Sequence, residues 1–225
     1  MKNIIMRIAR LFIGLFLYAV GIVMTINANL GLAPWDVFHQ GIAINIGITI
    51  GKVSIIVGLI LVIVNSIMGE KLGWGTLCNM LFIGLFIDFL MLNKIIPACH
   101  NFLSGIIMMG LGMFIIGISS YLYLSAELGS GPRDGLMVVL TKKTNKSVRL
   151  VRNTIETAVL IIGYFLSGFV GLGTFIIALS IGFFIQFAFT LFNFDVNNIE
   201  HRFINEDIKL FKNKSFIFSR GDINE

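Results

Sequence analysis

Long apolar stretches fill most of the chain, and short polar or glycine-rich segments separate them. A helix needs about 20 mostly apolar residues to cross the hydrocarbon core of a bilayer. The pattern predicts spans near 8–28, 52–69, 74–93, 102–124, 149–169 and 173–193. Two shorter segments fall between them, 34–46 after the first span and 132–140 after the fourth. At ~1.5 Å per residue, residues 34–46 reach only ~20 Å. That is too short to cross, and Arg133 and Asp134 make the second segment a poor lipid-facing helix. Both are expected to be half-helices, re-entrant or lying at the interface.

The arrangement occurs twice. Pro34 and Asp36 return as Pro132 and Asp134, Gly73, Gly75 and Thr76 as Gly171, Gly173 and Thr174, and Gly84 as Gly182, always 98 positions on. Laying 14–89 on 112–187 without a gap gives 18 identities in 76 positions. Some identities among Ile, Leu and Phe are accidental; the rarer Pro, Asp, Thr and paired Gly carry the case. A repeat of this length in an apolar chain points to transporter-like architecture, with a site between the halves. Three spans is an odd number, so the two halves should face opposite ways. The expected fold class is an all-α polytopic membrane protein of two inverted three-span repeats, each with a short half-helix after its first span. Repeat 1 covers about 8–95 and repeat 2 about 102–193, within one membrane domain over 1–193. The polar stretch 194–225 is expected to be a cytoplasmic tail.

Composition agrees with a membrane location. Hydrophobic residues make up 56% of the chain and charged ones 13%, against roughly 25% charged in soluble domains. The net charge of +5 is not a nucleic-acid signal, because the basic residues lie between and after apolar segments. With the N-terminus inside, six spans leave only Lys52 and Lys94 outside and put the other 15 of 17 Lys/Arg inside. This predicts a multi-pass cell-membrane protein with both termini cytoplasmic. If the short segments crossed, giving eight spans, only Lys71 and Arg133 would lie outside, so charge does not separate the two topologies; segment length favours six. The first apolar run is expected to be a retained span, since it lacks an A-x-A-like cleavage site and shares Gly14/Gly112 and Phe16/Phe114 with the repeat. Cys78 and Cys99 form no CxxC, and no His spacing suggests a metal.

The candidate substrate-binding residues are polar groups in or beside spans. Pro34, Asp36, Pro132 and Asp134 fit the first turn of a helix, where the missing proline N–H costs nothing and a carboxylate complements free N–H groups. They either simply start helices or bring two half-helix N-termini together at an anion-binding site. Arg133, Arg152 and Glu156 join them. Glu156 follows Arg152 by four residues on one helical face, either neutralising it or serving as a coupling carboxylate beside a substrate-holding arginine. Asp88 corresponds to Gln186 in the second copy, which suggests a cavity-facing position. Thr76 and Thr174 are expected N-caps, and His39 and His100 are expected at the outer surface. Gly84 and Gly182, with Gly14, Gly21, Gly105, Gly110 and Gly112, are expected to permit close helix packing.

The strings Leu30-Gly31-x-Ala33-Pro34-Trp35-Asp36-Val37-Phe38-His39-Gln40-Gly41, Gly73-x-Gly75-Thr76 and Gly129-x-Gly131-Pro132-Arg133-Asp134-Gly135-Leu136 resemble the YczE/YyaS/YitT family of bacterial membrane proteins, most closely its YczE branch. The resemblance covers about 8–193. It implies a multi-span membrane protein and a link to secondary-metabolite production; it carries over no binding residue.

No arrangement of residues argues for enzyme chemistry, a cofactor or a metal. The leading expectation is a transporter-like inner-membrane protein moving a small anionic or zwitterionic molecule. The alternative is a non-transporting scaffold or regulator of a partner protein. Expected partners are the lipid bilayer and an unidentified small molecule, with a homodimer as a further candidate because one copy is only 24.9 kDa.

Overall fold

A computed structural model of the chain describes residues 2–195 and 203–204. The described residues form eight helices and no strand: α1 (Lys2–Asn27), α2 (Pro34–Ile46), α3 (Ile50–Ile67), α4 (Trp74–Leu92), α5 (Phe102–Leu124), α6 (Pro132–Thr144), α7 (Val148–Phe165) and α8 (Leu172–Leu191). Five of them, α1, α3, α4, α5 and α8, are long and apolar enough to cross a membrane. The sixth expected span is α7. It has the length, but Arg149, Arg152 and Glu156 occupy its first turns and lower its hydropathy. The expected tail over 194–225 lies almost entirely outside the described residues. The two short segments are helices of 13 residues each.

Helix starts follow from local chemistry. Thr49 and Ser147, 98 positions apart, use their side chains to accept the N–H groups of Lys52 and Leu150 at the starts of α3 and α7. Pro34 and Pro132 open α2 and α6. Thr76 and Thr174 do not occupy the N-cap position expected of them. The caps are Gly73 and Gly171, and each threonine sits three residues on, its hydroxyl accepting the cap's N–H at 3.4 and 3.2 Å. This is half of a capping box; a glycine cap leaves room for a neighbouring chain.

That chain comes from the other half. Gly75 donates its N–H to Leu128 O at 2.7 Å, and Gly173 donates to Leu30 O at 2.7 Å. The loop before α6 thus docks on the start of α4, and the loop before α2 docks on the start of α8. Gly31 and Gly129 have φ of 121° and 119°, a region open only to glycine. A side-chain carbon at either would meet the hydroxyl of Thr174 or Thr76.

Small residues set the helix packing. α1 and α5 cross antiparallel at the centre: Gly14 lies against Tyr123, Gly21 against Gly112 and Ile116, and Gly105 against Ala28. α4 runs alongside α1 in the same direction, with Phe12 on Phe82 and Phe16 on Phe86. α3 packs along α4, where Gly84 lies against Gly51 and Ile55. α8 packs on α5, α2 on α7, and α6 on α3. Gly110 and Gly182 do not serve close packing as expected, since nothing lies within 4 Å of the point where their Cβ would be. Leu15, Ala19, Val23 and Ile87 fill the core, while Phe165, Leu179 and Phe183 point outward, as suits contact with lipid.

Candidate functional site

The first turns of α2 and α6 meet at one cavity. Pro34, Trp35 and Asp36 line it from one side and Arg133, Asp134 and Met137 from the other. Arg152, Ile155 and Glu156 of α7 and Ile177, Ala178 and Ile181 of α8 complete the wall. Its volume is about 130 Å³. A second lobe of about 80 Å³ adjoins it through Tyr18, Ile22, Arg133 and Asp134, and reaches His39, Asn79 and Tyr123.

Within this space the charged groups are held by specific contacts. The Arg133 guanidinium lies over the Trp35 ring, 4.9 Å from its centroid, a cation–π geometry. Tyr123 donates its hydroxyl to Asp134 Oδ2 at 3.0 Å, and Tyr18 meets Tyr123 edge to face. Arg152 Nε donates to Glu156 Oε1 at 2.9 Å. Asp36 is buried, with His39 Nδ1 3.9 Å from its carboxylate. His39 itself is 1% exposed, not at the outer surface as expected. Neither of its ring nitrogens has a hydrogen-bond partner among the described residues. It is buried because α2 is covered on two sides: Phe38 and Gly41 lie against Gly163 and Leu166 of α7, while His39 lines the second lobe with Val57, Gly58 and Leu61 of α3.

Seven of the nine predicted site residues therefore share one cavity: Pro34, Asp36, Pro132, Arg133, Asp134, Arg152 and Glu156. Asp88 and Gln186 do not. Asp88 caps α3, accepting the Thr49 hydroxyl at 2.5 Å and the Gly51 N–H at 2.9 Å. Gln186 lines a separate cleft that Arg152 also borders. Asn65 of α3 bridges to α6, donating to Pro132 O at 2.8 Å. Sequence reasoning missed Tyr18, Tyr123, Trp35 and His39. A signal existed for the tyrosines, polar handles inside otherwise apolar spans, and for Trp35, the repeat counterpart of Arg133.

The lining includes no cluster of three His, Cys, Asp or Glu suited to a metal among the described residues. What the cavity offers is both signs of charge, two helix N-termini and aromatic walls. Such a surface can orient a small polar molecule.

The profile of the family of unknown function DUF6198 matches residues 5–190. The uncharacterised membrane protein YczE of Bacillus subtilis (strain 168) is 38% identical over 191 residues, covering 83% of this chain and 87% of that protein. An uncharacterised protein of Haemophilus influenzae (strain ATCC 51907 / DSM 11121 / KW20 / Rd) is 36% identical over 180 residues, covering 80% and 82%. The uncharacterised protein YyaS of Bacillus subtilis (strain 168) is 29% identical over 167 residues, covering 72% and 82%. No solved structure matches. With its apolar helices and a match along nearly the whole helical region, the chain is a membrane protein that belongs to the DUF6198 family and is related to YczE and YyaS.

Proposed function

We propose that this protein is a small transporter whose two three-span halves are inverted about the cavity between α2 and α6. The observation that carries the reading is the convergence of two half-helix N-termini on one cavity lined by Arg133, Arg152, Asp36, Asp134 and Glu156. Each N-terminus contributes roughly +0.5 charge, and broken helices meeting at depth are how many transporters hold polar cargo. The antiparallel crossing of α1 and α5, the first helices of the two copies, supports inversion. The 13-residue length of α2 and α6 supports six crossings, with both termini cytoplasmic by the placement of Lys and Arg.

The cargo is a small zwitterion in preference to a bare anion. Three carboxylates accompany the two arginines, so a molecule carrying both an acid and an amine meets partners at each end. Arginine's planar fork suits the acid; Asp134 and Glu156 suit the amine.

The test is an untargeted metabolite comparison of a deletion strain with its parent, followed by uptake of the displaced compound into proteoliposomes. Wild type and Arg133→Gln, matched for membrane abundance, are compared in both. A transporter loses uptake in the variant and reproduces the deletion profile. If Arg133→Gln restores the parental profile in full, the cavity does not carry cargo, and the protein acts as a scaffold or regulator for a partner.

A further inference from the structure

The two halves share their backbone pattern but differ at one joint. In the first half α3 lies along α4. Gly51 faces Gly84 O, Gly58 faces Met80, and Asp88 ties Thr49 and Gly51 to the end of α4. In the second half α7 stands apart from α8. Beside the start of α7 lies an open cleft of about 580 Å³, lined by Arg152 of α7 and by Gly182, Ile185, Gln186 and Thr190 of α8.

The sequence explains the difference. At the 98-residue spacing Gly51, Ser54 and Gly58 become Arg149, Arg152 and Glu156. A single methyl group at position 51 would already run into Gly84 O, so the arginine at 149 excludes the same approach of α7 to α8. Gly84 is packed, and its counterpart Gly182 faces open space. Asp88 is a latch, and its counterpart Gln186 lines the cleft. Arg152 borders both the cleft and the central cavity.

We infer that the α7–α8 cleft is a water-filled vestibule, held open on this side alone by Arg149, Arg152 and Glu156, through which a small zwitterion reaches the central cavity. The identity of the cargo rests on the transporter reading; the vestibule itself does not. Arg152, paired with Glu156 at the junction, is the residue an incoming acid group meets first. The α3–α4 joint is the sealed counterpart, closed by glycines and capped by Asp88.

The experiment compares Ile185→Cys in the cleft wall with its repeat counterpart Ile87→Cys, which is 1% exposed. Both are made in a Cys78→Ala/Cys99→Ala background, in membrane vesicles of each orientation. The probe is a membrane-impermeant methanethiosulfonate carrying a sulfonate, with N-ethylmaleimide as the lipid-soluble control. Ile185→Cys is expected to react with the impermeant probe from one face, and Ile87→Cys from neither. A variant that copies the first half, Arg149→Gly/Arg152→Ser/Glu156→Gly, lets α7 close on α8. It is expected to slow labelling at Ile185→Cys by at least about tenfold, as an open state becomes a minor one. If Ile185→Cys reacts only with N-ethylmaleimide, the cleft is a lipid crevice and the inference falls. Undiminished labelling in the triple variant overturns the role given to the three charged residues. Should the triple variant not fold, the Ile185/Ile87 comparison still decides whether the vestibule exists. Neither measurement needs transport, so loss of the transporter reading leaves this result intact.

Discussion

The guanidinium of Arg133 rests over the ring of Trp35, 4.9 Å from its centroid, and the two residues occupy equivalent places in the 98-residue repeat. In a molecule built from two related halves, a residue touches its own counterpart only near the relating axis. The stacked pair joins the two half-helix starts across the cavity, and its two members differ where a strict copy would put like beside like. Arg on Arg would repel; Arg on Trp attracts. Replacing Arg133 with Gln is expected to cost about 1 kcal/mol, the size of a partly desolvated cation–π contact. In a Trp74→Phe background Trp35 is the only tryptophan left, so its emission should change with Arg133→Gln. An unaltered spectrum and unchanged thermal unfolding in detergent would show that the stack contributes nothing.

The reciprocal loop docking gives paired expectations. Gly31→Ala and Gly129→Ala each force a side chain into a backbone region reserved for glycine, against a threonine hydroxyl 2.7 Å away. Each should cost at least about 1–3 kcal/mol, and the two losses should be similar because the surroundings repeat. Recovery of monodisperse protein after heating in detergent measures both. A large loss at one site with none at the other would contradict equivalent loops.

Asp88 was a candidate site residue by sequence, and its contacts make it a cap. It accepts two hydrogen bonds at the start of α3, where a negative charge also complements the helix dipole. Asp88→Leu should therefore destabilise the protein by at least about 3 kcal/mol, since two hydrogen bonds to a charged acceptor are lost, each worth about 1.5–3. Asp88→Asn, which keeps an acceptor for Gly51, should lose less. Cargo affinity, read by uptake in proteoliposomes, should stay within about twofold at either variant, the scatter of effects at sites beyond direct contact. A tenfold drop in uptake with unchanged stability would return Asp88 to the binding site.

Helix number and position were legible because membrane spans are written in local composition. The half-helix 34–46 coincides with α2, opened by Pro34 and closed by Gly47 in the left-handed conformation. The second extends past the expected residue 140 to Thr144, because Lys142 and Lys143 carry on a helix that only Asn145 stops. The convergence of Pro34, Asp36, Pro132 and Asp134 was legible through the repeat. What stayed hidden depended on which helix packs against which. His39 reads as a boundary histidine until α3 and α7 are known to cover α2 between them. Gly182 reads as a packing glycine until α7 is seen to stand away from α8. Thr76 and Thr174 have the chemistry of an N-cap, and only the docking of a foreign loop explains why glycine takes that position instead.

The Arg152–Glu156 pair separates a structural role from a functional one. Its geometry is a helical i,i+4 pair with Nε to Oε1 at 2.9 Å, and the arginine side chain is 46% exposed. An isolated pair of this kind contributes only about 0.3–0.5 kcal/mol, too little for the fold to depend on it. Stability alone does not account for two charged groups at the wall of this cavity. Arg152→Gln is expected to leave membrane insertion unchanged and to abolish uptake. The double variant Arg152→Gln/Glu156→Gln should regain any stability lost by leaving Glu156 unpaired, yet still fail to transport, because no guanidinium remains for the acid group. The cycle, completed by Glu156→Gln alone, is read twice, by thermal unfolding and by uptake, on the same four proteins. Recovery of uptake in the double variant would mean the pair was only a neutralised bridge. The acid-binding role would then rest on Arg133 alone.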